Sequence, residues 1–494
     1  MEKHKILQDY FGFNSFRSGQ EEVINATFDR ENHKGILAVF PTASGKSLMY
    51  QLPSLLMDGL TIVISPLISL MKDQVDALKS KGISADFYNS SMTDKEKDNI
   101  SFKLMNQQLK LLYVAPERFG DKIFIDELKT YNKISLFAVD ESHCISTQGH
   151  DFRPSYRLLK DAIKFLNPNQ VIALTATATK RVQADICTQL NITNATKFVK
   201  GFYRPDLKIT VKRCTSDSKM DHIKRKVSIL KQSGITTGII YTPTKKLAES
   251  ICKELQKDKI QSVFYHAGLT STERDTIQNN WFATGGIIVA TIAFGMGIDK
   301  SDVRFVMHAG LPSSLENYYQ EIGRASRDGK GAECIIFTDA EKDTNLQKFL
   351  INMSYPPIQD ILNFWNWCKE TADENNIISK TQKEMGKDCG YFMKEFYVNG
   401  CVAQLRGNKF IETLANGKYL INKDLNFYLS FDSTSLEQKR SARIATLYEM
   451  VDFISDDKSC RMLKILDYFD DYSRTETCGR CDTCLQKMLK HRPV

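Results

Sequence analysis

No apolar run in the 494-residue chain approaches the roughly 20 residues that a helix needs to cross a bilayer. The N-terminus, Met1-Glu-Lys-His-Lys, leads into a mixed helical pattern and lacks the apolar core and small-residue cleavage site of a secretory signal. These absences predict a cytoplasmic protein. Neither charge sign is in strong excess: the formal net charge is +8, which permits an acidic partner without requiring one. Of twelve cysteines, eight stand singly (Cys144, Cys187, Cys214, Cys252, Cys334, Cys368, Cys389, Cys401). That scatter argues against a disulfide framework and for small buried hydrophobes. What remains is ordinary globular composition, 42% apolar and 26% charged, in a chain too long for one core. Two to four domains are expected.

The chain is organised around Ile36–Gln51. Ile36 to Phe40 has the length and residue types of a buried parallel strand. The pattern breaks at Pro41, passes through Thr42-Ala43-Ser44-Gly45, and resumes as a helix-compatible segment after Lys46-Ser47. Backbone N–H groups at a helix N-terminus attract phosphate, Lys46 would neutralise it, and Ser47 would hold Mg²⁺. Phe40 stands where the first glycine of the Gly-x-x-x-x-Gly-Lys-Ser pattern belongs. Taken alone, the stretch fits either a phosphate loop or an ordinary strand-to-helix turn with a surface lysine.

Across residues 1–205, apolar β-branched runs recur at Thr61–Ser65, Leu111–Ala115, Leu136–Asp140 and Val171–Thr175, with helix-compatible segments between them. This alternation predicts a parallel sheet covered by helices on both faces. Ligands of such sheets bind beyond the carboxyl ends of the strands, and each run here ends in a polar cluster at that point. In Asp140-Glu141-Ser142-His143, an aspartate ending a buried strand suits Mg²⁺, and the glutamate can position or deprotonate a water. A solvated strand end is the plainer reading of the same residues.

The segments Phe40–Ser47, Val63–Leu78, Val139–Tyr156 and Ala173–Thr179 resemble motifs of the RecQ helicases, a branch of the superfamily 2 nucleic-acid motor ATPases. Tyr10–Gln20 resembles the family's N-terminal motif, which implies nucleotide contacts for Arg17 and Gln20, with Gln20 reading adenine. Cys144–Tyr156 resembles the loop that couples DNA contact to ATP hydrolysis in this family, implying DNA contacts for Phe152 and Arg153. The acidic box implies catalytic roles for Asp140, Glu141 and His143. Three positions depart from the family pattern. Ala43 replaces a usual glycine, at a cost on the order of 1 kcal/mol if the position needs positive φ. Ser142 replaces alanine. Gln148 replaces a tryptophan, losing a base-stacking contact worth roughly 1–3 kcal/mol.

Residues 206–345 carry strand-like runs at Gly238–Tyr241, Ser262–Tyr265, Gly286–Ala290, Val303–Met307 and Cys334–Phe337, but no lysine loop. Two such units with one loop predict a site closed between lobes. Asn317–Gly329 places Arg324 and Arg327 three apart, which predicts one face of a helical turn reaching the γ-phosphoryl group. A solvated arginine-rich helix is the alternative. The stretch resembles the family's Gln-x-x-Gly-Arg-x-x-Arg motif, implying roles for Gln320, Arg324 and Arg327, with Arg327 as arginine finger; Ser326 replaces a usual glycine. Val289–Lys300 resembles a further motif, implying Gly297 and Asp299 near the nucleotide and Thr291 near the nucleic-acid backbone. His266 and His308 fit the same pattern.

Residues 346–434 form an insert with helix-compatible segments at Ile358–Thr371, Ser379–Lys387 and Tyr391–Asn399, then expected strands at Val402–Leu405 and Tyr419–Ile421. Three helices and a hairpin are winged-helix-like, suiting either a DNA duplex or a brace for the motor. In residues 435–494, Cys460, Cys478, Cys481 and Cys484 follow C-x₁₇-C-x₂-C-x₂-C, a spacing for tetrahedral Zn²⁺ that resembles the RecQ zinc element.

The expected fold is therefore α/β: two RecA-like parallel-sheet lobes, a winged-helix-like insert and a zinc-binding helical element. The resemblance implies an ATP-dependent helicase that uses ATP, Mg²⁺ and Zn²⁺ and moves 3′→5′ on single-stranded DNA; a monomer is expected. It would unwind duplex or branched DNA in repair and recombination, alongside single-stranded-DNA-binding protein or other repair factors, without a membrane. The location implied is cytoplasmic, and at the nucleoid in a bacterium. A DNA-stimulated ATPase that remodels DNA without processive unwinding, and a non-hydrolysing DNA-binding scaffold, are the alternatives.

Overall fold

The computed structural model describes residues 2–42, 44–89, 92–146, 153–295, 300–390, 395–414 and 417–490. The chain divides into two compact units. One comprises Met1–Pro312, Glu316–Thr338 and Asp456–Val494; the other comprises Ser313–Leu315 and Asp339–Ser455.

The first unit holds two parallel sheets. The N-terminal sheet contains β1 (Ile36–Val39), β2 (Leu60–Ile64), β3 (Ala85–Tyr88), β4 (Leu111–Val114), β5 (Ile134–Val139), β6 (Gln170–Thr175) and β7 (Thr196–Val199), in the order β3-β4-β2-β5-β6-β1-β7. Its inner strands β1, β2, β4, β5 and β6 are buried along their whole length, which is why they read as uninterrupted apolar runs. β5, β6 and β1 are neighbours, with Val139 beside Ala173 and Val39 beside Thr175. The residues following these three strands therefore emerge side by side at one carboxyl edge. The second sheet contains β8 (Leu207–Arg213), β9 (Gly238–Tyr241), β10 (Ser262–Tyr265), β11 (Ile287–Ala290), β12 (Phe305–His308) and β13 (Ala332–Thr338), in the order β10-β11-β9-β12-β13-β8. Three strands escape the apolar-run pattern: β3, β7 and β8. Each is a sheet edge.

The second unit has the winged-helix order. Helix Ile358–Thr371, β14 (Ile377–Ile378), helices Gln382–Cys389 and Val398–Gly407, β15 (Ile411–Thr413) and β16 (Tyr419–Ile421) follow one another, and the sheet runs β14-β16-β15. The expected strand at Val402–Leu405 lies instead inside the helix Val398–Gly407. Val398, Cys401, Val402 and Leu405 are its buried apolar side chains, a helical spacing, and their burial outweighs local β propensity. The hairpin partner of β16 is β15, beyond the helix, and β14 pairs on its other side. Of the expected helix Tyr391–Asn399, residues 391–394 lie outside the described residues and Glu395–Tyr397 form a 3₁₀ turn. The unit's core joins Phe364, Trp365, Phe410, Phe427 and Phe431. The helix Val398–Gly407 also packs on helix Ala340–Ser354: Gly400 lies where any Cβ would collide with the Met353 carbonyl. Helices Ala340–Ser354 and Ser433–Ser455 pack side by side, with Arg440 Nε donating to Asn352 Oδ1 at 3.2 Å and Lys348 over the Tyr448 ring at 5.0 Å. Among the described residues, no helix is long and apolar enough to cross a membrane.

Candidate active site

Beyond β1 the chain turns through Gly45 and enters the helix Leu48–Leu56. Lys46 Nζ donates to the carbonyls of Phe40 (3.1 Å) and Pro41 (3.3 Å). Gln20, nearly buried at the start of helix Gln20–Phe28, donates through Nε2 to the carbonyls of Ser44 (2.9 Å) and Gly45 (3.2 Å), and its Oε1 accepts from the Arg17 N–H (2.8 Å). The N-terminal motif and the loop are thus one assembly. A cavity of about 530 Å³, a size suited to a nucleotide, is lined by Arg17, Gln20, Thr42, Gly45, Lys46, Ser47, Asp140 and Glu141 from the first sheet's side. Gln320, Arg324 and Arg327 line it from the other. Phe11, Phe13 and Ser301 also face this cavity and were not singled out by the sequence reading. The hydroxyls of Thr42 and Ser44 are buried and find no hydrogen-bond partner among the described residues, which fits a polyanionic ligand beside them.

Asp140 and Glu141 follow β5. Glu141 sits at φ 46°, a left-handed conformation, and its N–H is accepted by Asp140 Oδ1 at 2.9 Å. Burial, and then the neighbouring Glu141 charge, push the Asp140 carboxyl up to about 7, partly opposed by Lys46. Burial likewise lowers the Lys46 ammonium, opposed by Glu141 and Asp140. A carboxylate pair so placed favours a cation, and with Ser47 on the same cavity the donor set suits a hard, oxygen-seeking ion such as Mg²⁺.

His143 is buried 3.4 Å from Glu141 Oε2, and its Nδ1 meets Thr175 Oγ1 at 3.0 Å. Thr175 Oγ1 in turn donates to the Thr177 carbonyl (3.2 Å). Gln320 Nε2 completes the series, donating across to Thr177 Oγ1 at 2.9 Å. The polar cluster after β6 was visible in the sequence; its place between the acidic residues and the second sheet was not.

The helix Leu315–Ile322 ends before the arginines, so Arg324 and Arg327 lie in the turns beyond it, not on one helical face as expected. Two features mark the turn beyond it. A Cβ at Gly323 would overlap Thr42 Oγ1, and Ser326 adopts φ 54°. Ser326 compensates through its hydroxyl, which accepts the Gly331 N–H at 2.8 Å. Arg324 is buried and donates to the Gly295 carbonyl. Arg327 lines the cavity beside Lys46, whose ammonium it further disfavours.

The loop expected to couple DNA contact to hydrolysis has both ends pinned near the acidic pair. Tyr156 Oη donates to the Asp140 carbonyl (3.0 Å) and the Arg153 N–H to the Cys144 carbonyl (2.8 Å). Arg153 Nη1 reaches the Pro66 carbonyl at 2.9 Å. Thr291 follows β11 with its N–H on the Tyr265 carbonyl (3.1 Å), outside the cavity lining. Ala43, Gln148, Phe152, Gly297 and Asp299 lie outside the described residues.

In the C-terminal part of the first unit, one sulfur from each of Cys460, Cys478, Cys481 and Cys484 lies within 4.8 Å of the others, and the Cys460 and Cys481 sulfurs are 3.9 Å apart. A tetrahedron of sulfurs about 2.3 Å from zinc has edges of roughly 3.8 Å. The four cysteines fit Zn²⁺.

Residues 17–186 match the DEAD/DEAH box helicase family, 218–329 the helicase conserved C-terminal domain, and 414–485 the RecQ zinc-binding family. An ATP-dependent DNA helicase RecQ of Haemophilus influenzae is 44% identical over 357 residues, 72% of this chain and 56% of that protein. This chain spans little more than half the length of that relative and of the RecQ proteins of Pasteurella multocida and Bacillus subtilis. A probable ATP-dependent DNA helicase RecS of Bacillus subtilis is 32% identical over 485 residues, 97% of this chain and 91% of the relative. Among solved structures, yeast Dbp5 bound to RNA and ADP BeF3 is similar at TM-score 0.54 and 18% identity, over 67% of this chain and 86% of that one. The DUF1998 helicase MrfA bound to DNA is similar at TM-score 0.55 and 15% identity, over 89% and 64%. These two likenesses establish the fold alone. Two helicase domains in order, the RecQ zinc-binding element, and identity along nearly the whole Bacillus relative converge: the chain belongs to the RecQ family of ATP-dependent DNA helicases.

Proposed function

We propose that the protein is an ATP-dependent DNA helicase that translocates 3′→5′ on single-stranded DNA and unwinds duplex or branched DNA in repair and recombination. The observation that carries this reading is the single cavity lined by Lys46, Ser47, Asp140 and Glu141 and, from the second sheet, by Gln320, Arg324 and Arg327. Arg17 and Gln20 hold the base, and the loop Thr42–Ser47 with Lys46 holds the phosphates. Ser47 and Asp140 would hold Mg²⁺, which when bound would neutralise phosphate charge. Glu141 orients and deprotonates the attacking water, and His143 holds Glu141 and passes its position on to Thr175. Arg327 stabilises charge developing on the γ-phosphoryl group while Arg324 is kept in register by Gly295. Gly297 and Asp299 contribute near the nucleotide. Each closure of the two sheets around ATP and each opening after hydrolysis advances the protein along DNA held by Phe152, Arg153 and Thr291. The four cysteines carry structural Zn²⁺; single-stranded-DNA-binding protein is a candidate partner, and the cytoplasm the expected location.

Lys46→Ala tests the assignment. It abolishes ATP turnover and leaves DNA binding intact; retained turnover refutes it. A second reading, a DNA-stimulated ATPase without processive unwinding, is favoured by Gln148 standing in the coupling loop where family members carry tryptophan. Strand displacement measured beside ATP hydrolysis separates the two, and Gln148→Trp raises DNA stimulation if the loop is attenuated.

A further inference from the structure

Seven residues, Lys200–Asp206, join β7 of one sheet to β8 of the other. Their contacts run in two directions. On one side they meet the element that carries the four cysteines. The buried Phe202 stacks on Phe469 with centroids 4.6 Å apart and planes at 19°, and its N–H donates to Asp471 Oδ2 at 3.1 Å. Arg474 lies over the Tyr203 ring at 4.4 Å, and Arg480 donates to the Pro205 carbonyl. On the other side they meet the arginine turn. Tyr319, on the helix that leads into this turn, donates through its hydroxyl to the Phe202 carbonyl (2.8 Å) and packs on Phe469 at 5.2 Å. Arg204, fixed by both oxygens of Asp206 (3.0 and 2.7 Å), donates through Nη2 to the carbonyls of Ala325 (2.8 Å) and Ser326 (3.3 Å). Those two carbonyls lie between Arg324 and Arg327.

We infer that Arg204, together with Phe469 and Asp471, positions the Arg324–Arg327 turn for catalysis, so that the cysteine-bearing element sets the geometry of ATP hydrolysis through the linker as well as stabilising the fold. The inference rests on the helicase reading above. Its physical basis is geometric. The carbonyls of Ala325 and Ser326 sit in a segment that the helix no longer supports, and Ser326 is left-handed, so their direction depends on what they are bonded to. The guanidinium plane is fixed by its paired bonds to the Asp206 carboxylate, and the same Nη2 then reaches both carbonyls, the nearer at 2.8 Å. Arg204 is itself held in place by a linker whose Phe202 is clamped between Phe469 and Tyr319. Removing the clamp lets the turn shift without emptying the nucleotide pocket.

The test compares steady-state ATP hydrolysis with saturating single-stranded DNA for wild type, Arg204→Ala, Asp471→Ala and the double variant, with zinc content and DNA affinity measured on each. Both single variants are expected to lower kcat about tenfold, with KM for ATP within about twofold and one zinc retained. The double variant is expected to lose no more than the weaker single variant, because both act on one turn. Lys180→Ala removes an exposed pair between Asp470 and the first sheet's side and leaves kcat unchanged. Where Asp471→Ala does not fold, Asp471→Asn and Arg204→Lys carry the test, with expected losses of about two- to threefold at an unchanged melting temperature. Full kcat in either pair of single variants, multiplicative losses in the double, or a loss that tracks zinc release overturns the inference. A wild type without DNA-stimulated turnover refutes the helicase reading itself; an active wild type with indifferent variants refutes the positioning role alone.

Discussion

Replacing Gly323 by alanine inserts one methyl group where the two sheets meet at the nucleotide cavity. The new Cβ would overlap Thr42 Oγ1, and it would sit 3.1 Å from the Tyr319 carbonyl and 3.4 Å from that of Gln320. The two carbonyls belong to a helix and cannot retreat, so the movement falls on Thr42. A carbon and an oxygen need about 3.3 Å, and restoring that spacing moves the phosphate loop and the arginine turn apart by about 1 Å. A misplacement of this size costs on the order of 100-fold in rate, about 3 kcal/mol in the barrier, while the loop's own contacts to the nucleotide survive. The expected result is a kcat about 100-fold lower with nucleotide affinity within a few-fold of wild type, read by DNA-stimulated ATP hydrolysis and by binding of a fluorescent nucleotide. Thr42→Ala removes the oxygen that collides, so the double variant should recover to the level of Thr42→Ala alone. Turnover of Gly323→Ala within threefold of wild type, or a double variant no better than Gly323→Ala, refutes the argument that close approach of these segments sets the rate.

At Ser326, alanine keeps the left-handed strain and removes the acceptor of the Gly331 N–H, lowering stability by about 1 kcal/mol, whereas glycine relieves the strain as it loses the bond and is close to neutral in urea unfolding. Chelation of Zn²⁺, or Cys484→Ser, should lower the melting temperature by an amount corresponding to several kcal/mol, checked by metal analysis beside calorimetry. Asp328 is held at about 2, chiefly by hydrogen bonding to Arg304, below the ordinary carboxylate value of 3.8. Its folded-state value is depressed, so its stabilisation is present above about pH 4 and lost as pH falls toward 2; screening limits it to ~1 kcal/mol or less, and Arg304→Gln removes that part of the acid dependence. DNA affinity should fall steeply between about 50 and 200 mM salt, the mark of phosphate contacts, in a fluorescence anisotropy titration.

The inner strands and the site residues were legible because both obey local rules. A strand buried on two faces is an apolar run, and a phosphate loop or acidic pair must follow such a strand at its carboxyl end. The strands that were missed, Ala85–Tyr88, Thr196–Val199 and Leu207–Arg213, are sheet edges whose apolar runs are interrupted by charge: Lys197 and Lys208 are exposed, and Asp86 is buried but paired with Lys79 and Lys103. In Leu207–Arg213 only Leu207 and Ile209 are buried, and the alternation hides a parallel strand. Val402–Leu405 failed for a different reason: four residues are too few to separate a helical from an extended period. The arginine turn failed because a three-residue spacing fits a turn as well as one face of a helix. Gly323 is shaped by Thr42, about 280 positions earlier in the chain, and spacing alone carries no trace of such a neighbour.

The side-by-side packing of helices Ala340–Ser354 and Ser433–Ser455 gives the intervening winged helix the character of a cartridge. Asn352 meets Arg440, and Lys348 meets Tyr448, so the points where the chain departs into residues 358–421 and where it returns are neighbours. A segment with adjoining ends can be excised and its gap bridged by a short linker without stretching the helices that flank it. The consequence is genetic as much as physical. Such a cartridge can be gained, lost or exchanged in a single recombination event, provided that its replacement keeps the close packing that Gly400 makes on helix Ala340–Ser354.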